Sequence, residues 1–239
     1  QVMAYLRTRG ATLIEVDTDG LYFVAPEDVR SPVDEERLLA DLATVLPAGI
    51  GLELDGRYQA MFSYKMKNYA LLDFAGRLTI TGSGLRSRGL ELFQREWMEE
   101  MFRHLLAGEP QKIRELTRRY AEAFERHTFD VRKFMKTETL QDSLDTYREK
   151  IKGSRRNPAA AYELALRSER AHQPGDQVSY YVAGTSKRVK VHEAAKPASQ
   201  WDPKQPDENV EYYKAKLVEL EEKFRPFFER EIGPLAEPS

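Results

Sequence analysis

The sequence predicts an α+β protein: an antiparallel sheet with a packed helix, followed by a mostly helical part that carries a small β element. Two observations lead there. Up to about residue 81, apolar residues fall largely in short β-branched or aromatic runs separated by turn dipeptides such as Asp55-Gly56 and Ala75-Gly76. After Gly89 the texture changes, and Leu90, Phe93, Trp97, Met101, Phe102 and Leu105 recur at helical spacing.

Taken in order, the chain opens partway into a helix at residues 2–6. Thr12–Val16 and Leu21–Val24 then read as two strands joined at Asp17-Thr18-Asp19-Gly20, a hairpin. Ser31 can cap a helix that has Pro32 at its first position and Asp34, Glu35 and Glu36 in its first turn. Its apolar stripe, Leu38, Leu39, Leu42, Val45 and Leu46, stops at Pro47 and Gly49. Residues 50–54, 58–64, 69–72 and 78–81 read as strands. Helices are expected at 90–105 and 110–126, with a mostly helical stretch on to 152. After a break at 153–158 come a helix at 159–170, short strands at 178–182 and 188–191, and a proline-bearing crossing at 197–209. The last helix, 212–231, presents Leu217, Leu220, Phe224 and Phe228. A boundary near 106–110 divides the chain into 1–107 and 108–239.

The 239 residues suffice for one large or two modest domains, with 41% hydrophobic residues for a core and 32% charged residues for a polar surface. There is no cysteine, which excludes disulfides and Cys-based zinc sites and fits a reducing cytoplasm, or a nucleoid-associated protein in a bacterium or archaeon. Apolar runs fall far short of the ~18 residues a spanning helix needs, and no signal peptide is visible, so no membrane partner is expected. The chain starts with Gln1 rather than Met, which suggests a piece of a longer protein. The net charge of −2 hides a strong polarity. Residues 1–55 hold 11 acids against 4 Arg, whereas 57–90 hold six cations against Asp73 alone. Residues 148–190 hold 10 Lys or Arg against 4 acids. Such segments are solvated faces in most proteins, and a footprint for nucleic acid in some.

Asp17 and Asp19 sit two residues apart at a hairpin tip. At ~4 Å and an effective dielectric near 20 two such charges repel by ~4 kcal/mol, so a tip that keeps both has a use for a cation or a shared proton. Alone, the tetrapeptide is an ordinary solvated turn. The pair also fits positions 1 and 3 of an EF-hand loop, but the required Gly and Glu at positions 6 and 12 are Tyr22 and Asp28, and the flanks are strands.

Five motifs in order resemble the family B DNA polymerases, from the middle of the palm to the end of the thumb. Glu15-Val16-Asp17-Thr18-Asp19-Gly20 is similar to the family's Tyr-Gly/Ala-Asp-Thr-Asp-Ser/Gly, with Glu15 in the place of Tyr. Met66-Lys67-Asn68-Tyr69-Ala70 resembles Lys-Lys-Arg-Tyr followed by Ala; the second Lys and the Tyr are kept, and Lys65 stands near the lost charge. Gly82-Ser83-Gly84-Leu85-Arg86-Ser87-Arg88 resembles Gly-Leu-Glu-x-Val-Arg-Arg with only the Gly and last Arg in register. Pro174-Gly175-Asp176-Gln177-Val178-Ser179-Tyr180 resembles the thumb's Pro-Gly-x-x-Val-x-Tyr strand, and Asn209-Val210-Glu211-Tyr212-Tyr213 the Asp-x-x-Tyr-Tyr that opens its last helix.

The resemblance implies a palm remainder over 1–107, a thumb over 108–239, and nucleotidyl transfer from deoxynucleoside triphosphates to a primer 3′ end. Two Mg²⁺ ions would stabilise the attacking and leaving oxygens. Asp19 is implied as the direct ligand, with Asp17 shaping the site and binding more weakly; Glu53 and Asp55 are weaker candidates. Lys67, with Lys65, suits the minor groove, where acceptors are nearly the same for every correct pair, and Tyr69 the primer backbone. Arg86 and Arg88 would contact phosphate, and Lys152, Arg155, Arg156, Lys187 and Arg188 would hold the primer-template duplex. The family's other metal-binding Asp and its triphosphate-binding Lys lie in the upstream palm and fingers, so the isolated chain is expected to be inactive. A sliding-clamp partner is not specified by these motifs. The competing expectation is a duplex-binding module, a split or decayed polymerase half without catalysis. His104, His127, His172 and His192 show no ligand spacing, and Trp97 reads as core.

Overall fold

The computed structural model describes residues 1–232 except Thr18, Asp19, Ala48, Arg88 and Arg155; of residues 230–232 it describes the backbone. Three expected site residues, Asp19, Arg88 and Arg155, therefore lie outside the described residues. The chain forms two compact units, Gln1–Arg86 and Ser87–Ser239.

In the first unit, helix α1 (Val2–Thr8) precedes the hairpin of β1 (Thr12–Val16) and β2 (Leu21–Val24). The two strands pair antiparallel with a register shift between Leu13 and Glu15. Helix α2 (Pro32–Thr44) begins as the sequence dictates: the Asp34 amide donates to Ser31 Oγ, and the Asp34 carboxylate accepts from the Ser31 amide, a capping box ahead of Pro32. Leu6, Ala11, Leu38 and Leu42 close a small core between α1, α2 and the hairpin. Then β3 (Ala60–Lys65), β4 (Asn68–Leu72) and β5 (Leu78–Thr81) make a separate antiparallel sheet in that order.

Residues 50–54 form no strand. Leu52 packs against the small core, but Ile50 and Leu54 are about half exposed and the run pairs with no strand edge, so burial of one side chain does not order it as a strand.

The second unit starts with α3 (Leu92–Leu106), which packs with α4 (Lys112–Glu125) and α9 (Val210–Ile232) around Phe93, Trp97, Phe102, Phe124, Phe224 and Phe228. The compact units thus divide some twenty residues before the boundary expected from sequence, because the Phe93, Trp97 and Phe102 face of α3 is buried within the second unit. Between α4 and α9 lie α5 (Val131–Phe134), β6 (Lys136–Thr139), α6 (Leu144–Lys152), α7 (Ala160–Arg167), β7 (Gln177–Val182), α8 (Val191–Ala194) and β8 (Ala195–Pro197). The strands form an antiparallel sheet in the order β6-β7-β8. Two expectations change here. The stretch to residue 152 is interrupted by β6, and residues 188–191 are not a strand; the C-terminal partner of β7 is β8, a few residues on. Tyr147 stacks on Tyr162 at 4.4 Å between ring centroids, the centre of a second apolar cluster. The resulting fold is α+β. No helix among the described residues is long and apolar enough to cross a membrane.

Candidate functional site

In the first unit the hairpin tip, the β3–β4 turn and the bend after β5 come together. The Asp17 amide donates to the Gly20 carbonyl at 2.8 Å, closing the hairpin end. The Asp17 carboxylate, a third exposed, lies 3.1 Å from the Lys67 ammonium. Lys67 sits in the β3–β4 turn with φ of 61°, a left-handed backbone that a side chain rarely adopts. Two supports hold it there. The Lys67 amide donates to Glu15 Oε1 at 2.7 Å, and the other Glu15 oxygen accepts from Ser63 Oγ. On the opposite side Gly82, φ 98°, passes so close to the Lys67 carbonyl that an added Cβ would overlap it, and the Gly84 amide donates to Asn68 Oδ1 at 2.7 Å.

Tyr69 packs its ring on Tyr22 of β2 at 5.2 Å, with the two hydroxyls 3.2 Å apart, and the Tyr58 ring lies 6.3 Å from that of Tyr22. Burial, then the contact with Tyr69, pushes the Tyr22 phenol well above its usual range, so it stays protonated at neutral pH. Asp17 and the two residues named from the motif resemblance, Lys67 and Tyr69, are thus neighbours around one hairpin. Lys65 is exposed, its ammonium 5.2 Å from the Tyr64 ring, and Arg86 is exposed beyond the Gly82 bend. Glu53 and Asp55 are exposed. Among the described residues no group of three or more His, Asp or Glu is placed to hold a metal ion. The donor chemistry at the tip is nonetheless that of a hard cation: the Asp17 carboxylate already stabilises one positive charge.

The second unit carries the remaining expected cations among the described residues, at the end of α6 and just after it and on the loop between β7 and α8. Lys152 ends α6 and is exposed. Arg156 lies over the Tyr162 ring at 4.5 Å and the Tyr147 ring at 5.4 Å, and its guanidinium donates to Asp142 at 3.0 Å. Lys150, first, and Arg156 hold the Asp142 carboxyl below the usual carboxylate range. Arg156 therefore serves the packing of α6 on α7. Lys187 pairs with Glu211 at 3.2 Å, and Arg188 is exposed. The two motifs that suggested the last part of the chain meet physically: the Val182 amide donates to the Tyr213 hydroxyl at 2.8 Å, the Asn209 amide to the Val182 carbonyl at 2.9 Å, and Asn209 Oδ1 caps α9 at the Tyr212 amide.

Sequence reasoning named Glu15 only as a departure from the motif and passed over Ser63 and Glu91. Strand alternation was the available signal for Glu15, since Leu13 and Glu15 turn inward while Thr12, Ile14 and Val16 are exposed. For Glu91 the signal was register. Gly89-Leu90-Glu91-Leu92-Phe93-Gln94-Arg95 fits Gly-Leu-Glu-x-Val-Arg-Arg at four fixed positions, against two for the run beginning at Gly82. Glu91 is 4% exposed at the N-cap of α3 and pairs with Lys216 of α9, a structural tie within the unit.

The model of DNA polymerase family B matches residues 17–223. The chain is 27% identical over 214 residues to a DNA polymerase of Thermococcus kodakarensis (strain ATCC BAA-918 / JCM 12380 / KOD1), covering 85% of this chain and 12% of that protein. It is 27% identical over 219 residues to the DNA polymerase of Thermococcus sp. (strain 9oN-7), covering 85% and 26% respectively. The structure of a family B DNA polymerase from the hyperthermophilic archaeon Pyrobaculum calidifontis superposes on all of this chain and 28% of its own with a TM-score of 0.67 at 24% identity, a likeness of fold. The chain spans about a quarter or less of the relatives it matches. With the family match covering most of its length, this chain belongs to DNA polymerase family B.

Proposed function

We propose that the 239 residues are the end of the palm and the thumb of a DNA-directed DNA polymerase, residues 1–86 bearing the acidic hairpin and 87–239 holding the product duplex. The observation that carries this is the contact of Asp17 with Lys67, an acid suited to Mg²⁺ beside a cation suited to the primer-template minor groove. Mg²⁺ fits the oxygen donors of Asp17 and Asp19; when bound, a pair of such ions stabilises charge on the attacking and leaving oxygens of phosphoryl transfer. The chain's own residues orient what those ions act on. The hairpin strands fix the Asp17 carboxylate, the rigid β3–β4 turn presents Lys67, and Tyr69 braces the turn against Tyr22. Lys65, Arg86, Lys152 and Arg188, with Arg88 and Arg155, draw in the phosphate backbone, while deoxynucleoside triphosphates are met by parts of a longer enzyme.

Two measurements test this. In the full-length polymerase containing these residues, Asp19→Ala removes primer extension almost completely and leaves duplex affinity within about twofold. The 239 residues alone bind a primed duplex and do not extend it with Mg²⁺ and nucleotides. Extension by the isolated chain refutes the division of labour. Full extension by the Asp19→Ala polymerase favours the second reading, a duplex-binding module without chemistry, to which Glu15 in place of the motif's tyrosine points.

A further inference from the structure

Glu15 is 8% exposed, on a strand whose neighbours Ile14 and Val16 are more than a third exposed. Burying a carboxylate while apolar side chains face water is unfavourable unless the carboxylate is satisfied by groups that need it. Both its oxygens are satisfied, and by donors 48 and 52 residues away in sequence, Ser63 and the Lys67 amide. One of those bonds falls on the residue whose backbone is in the left-handed region. A non-glycine residue keeps that conformation when its surroundings over-determine it. Here they do so from three directions: Glu15 at the Lys67 amide, Gly82 against the Lys67 carbonyl, and Gly84 on the Asn68 side chain. The result is an ammonium set beside Asp17 with 59% of its side chain still exposed.

We propose that Glu15 is a positioning residue for duplex binding. Its buried carboxylate ties the β3–β4 turn to the acidic hairpin, so that the Lys67 ammonium is shared between Asp17 and the minor-groove acceptors of a bound duplex. This rests on the assignment of Lys67 to the duplex made above. An exposed ion pair is weak, so the ammonium exchanges partners readily. A divalent cation at the tip competes with Lys67 for Asp17 and frees it for DNA; a duplex that engages Lys67 frees Asp17 for the cation. By linkage each then favours the other.

The test uses the 239-residue chain with a primed duplex, read by fluorescence anisotropy, and Mn²⁺ without DNA, read by electron paramagnetic resonance. Lys67→Met should weaken duplex binding roughly tenfold, the factor for losing one charge-assisted hydrogen bond. If it does not, the assignment of Lys67 fails, and the inference with it. Glu15→Leu should weaken duplex binding by a similar factor and add nothing in a Lys67→Met background. Glu15→Gln should stay within about twofold, because its amide oxygen can accept the Lys67 N–H while the Ser63 hydroxyl turns to accept from its NH₂. Mn²⁺ should bind Lys67→Met about two- to fivefold more tightly than the unaltered chain, the factor for one exposed ion pair. Losses from Glu15→Leu and Lys67→Met that add in full, or unchanged duplex binding by Glu15→Leu, overturn the positioning role while leaving Lys67 as a DNA contact. Unchanged or weaker Mn²⁺ binding by Lys67→Met overturns the sharing. Should Glu15→Leu not fold, hydrogen exchange at the Lys67 amide decides: slow exchange in the unaltered chain and in Glu15→Gln supports the tie, and exchange at the rate of an exposed amide overturns it.

Discussion

Gly82 and Gly76 both have positive φ, 98° and 77°, but only Gly82 has the Lys67 carbonyl and the Asn68 side chain where a Cβ would go. Gly76→Ala should therefore cost only the left-handed penalty, about 1 kcal/mol, whereas Gly82→Ala adds a steric conflict with backbone and should cost about 3 kcal/mol in urea unfolding. Arg156 and Lys152 separate in the same way, although both were read from sequence as phosphate contacts. Arg156→Met loses a ring contact and a partly buried bond to Asp142, so it should destabilise the chain by about 1–2 kcal/mol. Lys152→Ala should leave stability within ~0.5 kcal/mol and lower the salt dependence of duplex binding by ~0.9. That Asp17, Lys67 and Tyr69 lie close together was legible only through the motif resemblance, which put an acidic hairpin and a Lys-x-Tyr turn in one unit. The different fates of Arg156 and Lys152 were not, because Asp142 and the two tyrosines reach Arg156 only through the folding of α6 onto α7.

The elements legible in sequence are those whose own residues decide them. Ser31 and Pro32 fix the start of α2, and the apolar spacing of α3, α4 and α9 survives intact. Strand β6, Lys136-Thr137-Glu138-Thr139, has no apolar residue to betray it. It exists because β7 offers an edge, where Tyr180 donates to Glu138 at 2.6 Å and Thr137 meets Ser179 at 2.7 Å. Tyrosines of that sheet and of α6 and α9 should make the second unit sensitive to alkali. Burial, and then a bonded carboxylate, holds the phenols of Tyr180 and Tyr181 far above their ordinary range, and burial pushes those of Tyr147 and Tyr212 up to about 12. In the unfolded chain all four ionise near pH 10, as exposed phenols do. A phenol raised in the folded state contributes stability that is whole below the unfolded pKa and fades as pH climbs through the folded one. Calorimetry should therefore show the unfolding temperature constant to about pH 9.5 and falling between about pH 10 and 12, with Tyr180→Phe flattening the fall.

Over the whole molecule a net charge of −2 argues against DNA binding only if charge acts as a sum. Phosphate contacts act locally, within a Debye length of about 8 Å at physiological salt. What counts is how many cations are exposed and uncommitted. Lys67, Arg156 and Lys187 each pair with an acid, while Lys65, Arg86, Lys152 and Arg188 show no ion pair among the described residues and face solvent. With Arg88 and Arg155, which lie outside the described residues, the six phosphates of the proposed function predict a slope of about −5.4 for the logarithm of duplex affinity against the logarithm of salt concentration. Anisotropy titrations of the 239-residue chain between 50 and 200 mM salt, roughly the span over which such slopes are read, measure it directly. A slope of about −8 would mean that the three paired cations also release their carboxylates on binding, and that Arg156 leaves its tyrosines to do so. A slope near zero would mean that the basic segments are solvated faces and that the acidic hairpin has no duplex brought to it by this part of the chain.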